Sequence, residues 1–305
     1  KGRDEERSYT LSQDEKLIRS IARIENLKKE NILITAGADA AIHHIAEVFL
    51  DDRKTAVIPT PSFSRFEFHA KVVGSKIIFI GHQTFPYSFD LDKITKVAKV
   101  NQAEVILLAN PNNPTGELID KKRLERFIIE NKERLIVIDE VLVEDRKDSL
   151  GEFVSLYKNL VVIKSFSKLF GVPGLRVGYV LANPQLVRLF SKTVSPYEIS
   201  SLSLFSVKRI LSDRKYIGKV KRELKKARNL LKKHLSLPLT NTSASLGLIS
   251  GSGKTSLFDY LSKHGILTLD GKSFRGLENT NSVRIIINNV SDIKKLIRVI
   301  KKYNK

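Results

Sequence analysis

The stretch Ser165-Phe166-Ser167-Lys168-Leu169-Phe170-Gly171, followed closely by Gly174-Leu175-Arg176-Val177-Gly178-Tyr179, decides how this 305-residue chain is read. It starts where the apolar run Leu160 to Lys164 ends and closes where a second run, Gly178 to Leu181, begins, so its polar residues occupy a loop between two strands. Working outward, the same punctuation recurs. Apolar runs at Ile32 to Thr35, Thr55 to Pro59, Lys76 to Ile80, Val105 to Ala109 and Leu135 to Asp139 alternate with helical segments, the signature of an α/β fold with a mostly parallel, seven-stranded sheet. Helices predicted over Ala38 to Leu50 and Lys121 to Asn131 begin beside Gly37 and the turn Asn110 to Gly116, at strand ends where open α/β sheets bind ligands. After Pro196 the pattern changes to one long helical stretch reaching His234, then to strands at Leu246 to Ser250, Gly265 to Leu269 and Ser282 to Asn288. This predicts a large domain over 30–195, a linking helix with a smaller α/β domain over 196–305, and an N-terminal segment, 1–29, packed with the small domain.

Composition narrows the chemistry. Cys is absent, which excludes disulfides, thiolate metal sites and a Cys nucleophile, and leaves Lys, His, carboxylates or a cofactor to act. The formal net charge of +20 raises nucleic acid as a partner. Yet the Lys-rich runs Lys219 to Arg228 and Ile293 to Lys302 carry apolar residues at helical spacing, so they read as solvated faces of amphipathic helices, and no nucleic-acid motif accompanies them. No apolar run approaches a membrane span, and no signal region opens the chain, so the expectation is a cytoplasmic protein without membrane contact. Met is also absent, from which we expect that the true N-terminus and internal Met positions are missing from this sequence. The run Gly251-Ser252-Gly253-Lys254-Thr255 ends like a P-loop but lacks its first Gly at Leu248, and reads as a loop before a helix at Ser256 to His264.

Four segments attract chemistry together: Asn110-Pro111-Asn112-Asn113-Pro114-Thr115-Gly116, Ile138-Asp139-Glu140, Ser165 to Gly171, and Gly174 to Tyr179. Alone, Lys168 reads as a surface lysine, Asp139 as a strand-end cap, Arg176 as an ion-pair partner and Phe63 as core. Their joint order resembles the fold-type I pyridoxal-phosphate (PLP) enzymes, specifically the class I/II aminotransferases, over most of the chain. Within that group it is similar to the histidinol-phosphate aminotransferases and the threonine-phosphate decarboxylases.

The resemblance implies a role for each residue. Lys168 would carry PLP as a Schiff base and later move the proton between Cα and the cofactor, and Asp139 would pair with the pyridinium. Asn113 would bond the phenolic oxygen and Phe63 would stack on the ring. The backbone of Gly37, Ala38 and Asp39, with Ser165, Ser167 and Arg176, would hold the phosphate. Arg284, on a strand of the small domain, would fork the substrate carboxylate, and Tyr9 would reach the phosphate of the other subunit in a homodimer. The implied reaction moves an amino group from an amino acid, or an amino phosphate such as histidinol phosphate, to a 2-oxo acid. A PLP-dependent threonine-phosphate decarboxylase of cobamide synthesis is the alternative, and a non-catalytic basic binding protein on the same fold is a second. Two positions depart from the family. Leu142 stands where most of these aminotransferases have a Tyr, and Leu269 where both phosphate-handling groups have an Arg, with Arg275 or Lys272 as the available substitutes.

Overall fold

The strands form because their residues are buried on both faces, and β-branched or leucine side chains suit such positions. The structure, a computed structural model, describes residues 11–81, 84–253 and 255–303. Every residue is buried in β1 (Ile32–Thr35), β2 (Thr55–Thr60), β4 (Val105–Ala109), β5 (Leu135–Asp139) and β7 (Gly178–Ala182). With β3 (Lys76–Gly81) and β6 (Leu160–Ser165) they make one seven-stranded sheet in the order β1-β7-β6-β5-β4-β2-β3. Strands β2 to β6 are mutually parallel, while β7 is antiparallel to both of its neighbours, β6 and β1. Two reversals cancel, so β1 runs with β6. The C-terminal ends of β1, β2, β4, β5 and β6 and the start of β7 therefore share one edge.

Alternate residues of the central strands feed two cores. Ile106, Leu108, Ile136, Ile138 and Val162 pack on one face with residues of α1 (Glu15–Glu25), α4 (Leu91–Val100), α5 (Lys121–Glu130) and α7 (Ser201–Ser212). Val105, Leu107, Val137, Val161 and Ile163 pack on the other with α2 (Gly37–Phe49), α3 (Ser64–Val72) and α6 (Pro184–Phe190). Each such aliphatic side chain contributes about 1.5–3 kcal/mol by burial. Residues of α1 were expected beside the small domain, but Leu17 and Ile21 lie in the first of these cores, beside Leu204 and Val207 of α7. The apolar stripe of α1 matches the large sheet, and Gln13 ties its start to β1 through bonds to both backbone groups of Ile34.

The small domain is an antiparallel sheet, β8-β10-β9, made of β8 (Leu246–Ser250), β9 (Leu269–Asp270) and β10 (Ser282–Ile286). Ile249, Val283 and Ile285 on one face meet Ala227 and Leu231 of α8 (Arg214–His234), Leu257 and Leu261 of α9 (Leu257–Lys263), and four residues of α10 (Val290–Tyr303). The buried stripe of α8 is Leu224, Ala227 and Leu231, which leaves its Lys run turned outward, as the amphipathic reading expects. Two expectations are corrected here. The stretch read as one helix to His234 is two helices, broken at Asp213, whose carboxylate accepts the Tyr216 amide and so caps α8. The run Gly265 to Leu269 is a strand only at Leu269, because the Gly265 and Ile266 amides close the end of α9 on the Ser262 and Leu261 carbonyls. Among the described residues no helix is long and apolar enough to cross a membrane.

Gly178 sets how closely α2 approaches the sheet edge. A Cβ at this position would lie 2.8 Å from the Gly37 carbonyl carbon and from Lys164 O, and 2.9 Å from Ala38 N, all backbone atoms that cannot rotate away. Gly178→Ala is expected to lower stability by about 1–3 kcal/mol, as overpacking does. Urea unfolding of the two proteins checks this, and an unchanged midpoint would contradict the close packing.

Candidate active site

The shared sheet edge opens into a cavity of about 650 Å³ whose lining includes Phe63, Asn113, Asp139, Ser165, Ser167, Lys168, Arg176 and Arg284. The topology explains the convergence. Gly37 follows β1, Phe63 follows β2, Asn113 follows β4, Asp139 ends β5, Ser165 ends β6 ahead of Lys168, and Arg176 precedes β7. Backbone pairing puts Ala109 opposite Asp139 and Asp139 opposite Ile163, so these loops leave the sheet at one level. The Asn110 to Gly116 turn is held from within: Asn110 Oδ1 accepts the Ile119 amide at 2.7 Å, and Asn112 Nδ2 donates to Pro61 O and Thr115 Oγ1. That leaves Asn113 to face the cavity, where its Oδ1 accepts from Arg284 Nη1 at 3.1 Å and links the two domains.

An anion cradle forms at the start of α2, whose N-cap position, Ala36, offers no side-chain bond to the first-turn amides. The guanidinium of Arg176 lies across this turn, filling the space beside Gly37, where a Cβ would come within 2.7 Å of Nη2. Arg176 Nη1 donates to Pro173 O at 3.2 Å and to Ser167 Oγ at 3.4 Å, and Ser165 Oγ donates to Ser167 Oγ at 2.9 Å. Ala38, Ser165, Ser167 and Arg176 thus gather at one corner of the cavity. The Asp39 carboxylate faces Arg65, at 2.6 and 3.1 Å, and His69, so only its backbone is available to the cradle.

Charge is arranged unevenly. Asp139 is buried, its carboxyl pushed up to about 7 chiefly by desolvation, while its Oδ1 accepts the Val141 amide at 2.9 Å. Among the described residues no cation forms an ion pair with it. Burial, followed by the positive charges of Arg284 and Arg176, holds the Lys168 amine below its ordinary value, which favours the neutral, nucleophilic form. Arg284 Nε is buried without a hydrogen-bond partner, a donor waiting for an anion.

Tyr9 lies outside the described residues. Arg275 is not a free cation for the cavity: it forks Glu67 at 2.9 and 2.6 Å and lies 4.1 Å from the centre of the Phe79 ring. The remaining lining, including Val220 and Leu224 of α8, Leu246 of β8, and Ile286 and Asn288, was not singled out from sequence. Alternation along β10 from Arg284 would have found Ile286 and Asn288, and the i, i+4 spacing would have joined Val220 to Leu224.

The family model for "Aminotransferase class I and II" matches residues 3–300. A histidinol-phosphate aminotransferase from Ruminiclostridium cellulolyticum is 31% identical over 263 residues, 85% of this chain and 74% of that protein. The crystal structure of the histidinol-phosphate aminotransferase from Clostridium acetobutylicum superposes with a TM-score of 0.88 at 25% identity, covering 99% of this chain and 92% of that one. The L-threonine-O-3-phosphate decarboxylase from Porphyromonas gingivalis shares the fold, with a TM-score of 0.81 at 23% identity, covering 99% and 92%. The chain belongs to the aminotransferase class I and II family. It is a fold-type I, PLP-dependent aminotransferase.

The residues present fit that cofactor. A buried acid without a cationic partner suits a pyridinium, a depressed lysine suits an aldehyde, and the uncapped helix start with Arg176 across it suits a phosphate dianion. Without cofactor, the raised Asp139 carboxyl has a stability consequence. The folded state holds this proton more tightly than the unfolded chain, whose value is near 3.8, so the group's contribution is complete below pH 4 and is lost as pH rises to about 7. Comparing urea unfolding of cofactor-free protein and its Asp139→Asn variant from pH 4 to 8 should reveal a loss on the order of 4 kcal/mol that the substitution removes. Parallel pH profiles for the two would contradict the burial of an unpaired acid.

Proposed function

We propose that this protein transfers an amino group from an amino acid, or from an amino phosphate of the histidinol-phosphate kind, to a 2-oxo acid, with Lys168 as the residue that acts on the substrate. The observation that carries the reading is the depressed amine of Lys168 set in one cavity with buried Asp139 and with Arg176 and Arg284. PLP, when bound, supplies a sink for the electrons left on Cα. Asp139 pairs with its pyridine nitrogen, Asn113 bonds its phenolic oxygen, and Phe63 flanks its ring. Gly37, Ala38 and Asp39 through their amides, with Ser165, Ser167 and Arg176, hold its phosphate. Arg284 would fork the substrate's carboxylate or phosphate beside Asn113, and Nζ of Lys168 would take the Cα proton and return it. Residues 30–195 carry the cofactor, and 196–305 bring Arg284 to it.

Transamination is favoured over decarboxylation by the named relatives, whereas the decarboxylase likeness is one of fold. We further infer a cytoplasmic homodimer in which Tyr9 completes the phosphate site of the other subunit. In the experiment that tests this reading, purified protein with PLP is given single amino donors. The visible cofactor band is expected to bleach with release of one equivalent of the 2-oxo product, and Lys168→Ala should cut the rate by at least a thousandfold. Release of carbon dioxide without a 2-oxo product would overturn transamination.

A further inference from the structure

The outward sides of α8 and α10 carry charge of one sign. Both helices pack on one face of the small sheet, α8 through Ala227 and Leu231 and α10 through Ile293, Leu296, Ile297 and Ile300, and they touch one another. Two helices laid together on a sheet turn their opposite sides to solvent together. On α8 that side carries Lys215, Lys219, Arg222, Lys225, Lys226 and Lys233, all exposed and recurring at helical spacing. On α10 it carries Lys294, Arg298, Lys301 and Lys302. The one acid of α8, Glu223, lies off this side and accepts the Val290 amide, at the start of α10, at 3.2 Å. The one acid of α10, Asp292, sits in its first turn against Asn289. Among the described residues none of these cations forms an ion pair, whereas Lys221 and Arg228, on the edge of α8 that meets the large domain, pair with Asp145 and Glu144. Like charges three and four residues apart destabilise a helix, so the segregation is unfavourable until a polyanion lies against it.

We propose that this two-helix face binds the sugar–phosphate backbone of double-stranded nucleic acid, without regard to base sequence. Lysines and arginines that neutralise phosphates release condensed counterions, and that release drives binding with no base-reading motif. The 21 residues of α8 span about 31 Å, close to one turn of a duplex at about 34 Å, so its row of cations meets successive phosphates. The tyrosines of these helices are turned elsewhere. Tyr216 sets its hydroxyl against Gly171, where a Cβ would come within 2.8 Å of it, and Tyr303 donates to Thr255 O and packs edge-on to Tyr260. With no ring among the cations, unpaired bases have nothing to stack on, which favours a duplex over a single strand. The apolar sides of both helices are buried in the small domain, so neither can enter a bilayer surface. Val220 and Leu224, which line the active cavity, lie two residues to either side of Arg222 and hence on the other side of α8. A bound duplex therefore leaves the cavity open, and the inference stands apart from the aminotransfer reading.

Fluorescence anisotropy of the PLP-loaded protein with a labelled DNA duplex of about 24 base pairs tests the proposal. Micromolar binding is expected at about 50 mM KCl, weakening at least about a hundredfold by about 200 mM, the dependence set by about four neutralised phosphates. Two duplexes of unrelated sequence should agree within about threefold. Lys219→Gln, Arg222→Gln and Lys226→Gln combined should weaken binding at least about tenfold and flatten the salt dependence, with amino transfer unchanged. Lys93→Gln, Lys96→Gln and Lys99→Gln combined remove the same charge from exposed positions of α4, and their effect is expected to stay within about twofold. An equal loss in both triple variants would reduce the effect to net charge and overturn the proposal. No binding at low salt, tighter binding of the single strand, or equal affinity for vesicles of phosphatidylserine and phosphatidylcholine would each overturn it as well. The salt dependence and the comparison of probes are measured on the unsubstituted protein, so they decide the matter even where a variant fails to fold.

Discussion

The parallel pairing of β5 with β6 places the end of one strand, Asp139, opposite Ile163 of the next, two residues before that strand ends and the loop that carries Lys168 begins. A carboxylate and an amine are thus brought to one sheet edge by backbone hydrogen bonds before either side chain makes a contact of its own. Both pay the cost of desolvation there: the acid is held up to about 7 and the amine below its ordinary value. Each is poised for a partner that the protein itself does not supply, and the rest of the cavity is organised around that deficit.

Positive charge dominates what surrounds the pair. Arg176 lies across the first turn of α2, where helix amides already favour an anion, and Arg284 reaches in from the small domain to Asn113. The two arginines line the cavity that holds Lys168, one from the loop before β7 of the large sheet and one brought by β10. Contacts across the domain boundary keep that spacing: Arg228 forks Glu144 at 2.8 Å through both terminal nitrogens, and Thr240 Oγ1 donates to Thr115 O at 2.5 Å. The small domain therefore contributes residues including Arg284, Leu246 and Ile286 to a cavity whose other walls belong to the large one.

Most of the large sheet was legible in the sequence because strands buried on both faces read as unbroken apolar runs, and β1, β4 and β5 match their expected bounds residue for residue. Residues that bring polar chemistry to those strand ends, Asp139, Asn113, Ser165 and Lys168, were legible only through the joint order of four segments and the family it resembles, because each alone reads as an ordinary cap, turn or surface residue. The break at Asp213 was missed because a capping Asp inside a Lys-rich helical pattern looks like one more solvated residue. The run after Gly265 misled because its apolar side chains follow a helix end, where backbone amides are already committed. Val220, Leu246 and Ile286 were hidden for a different reason. An apolar residue lining a cavity cannot be told from a core residue by periodicity; the register beside Arg284 separates the two for Leu246 and Ile286, and only the folded cavity does so for Val220.

The central claim, that Lys168 is the residue through which this fold holds its cofactor, is tested most directly by reducing the PLP-loaded protein with borohydride and mapping the modified peptide by mass spectrometry. The account predicts one cofactor equivalent fixed on Lys168 and none after Lys168→Ala. Modification of another lysine, or a peptide map without any fixed cofactor, would contradict it.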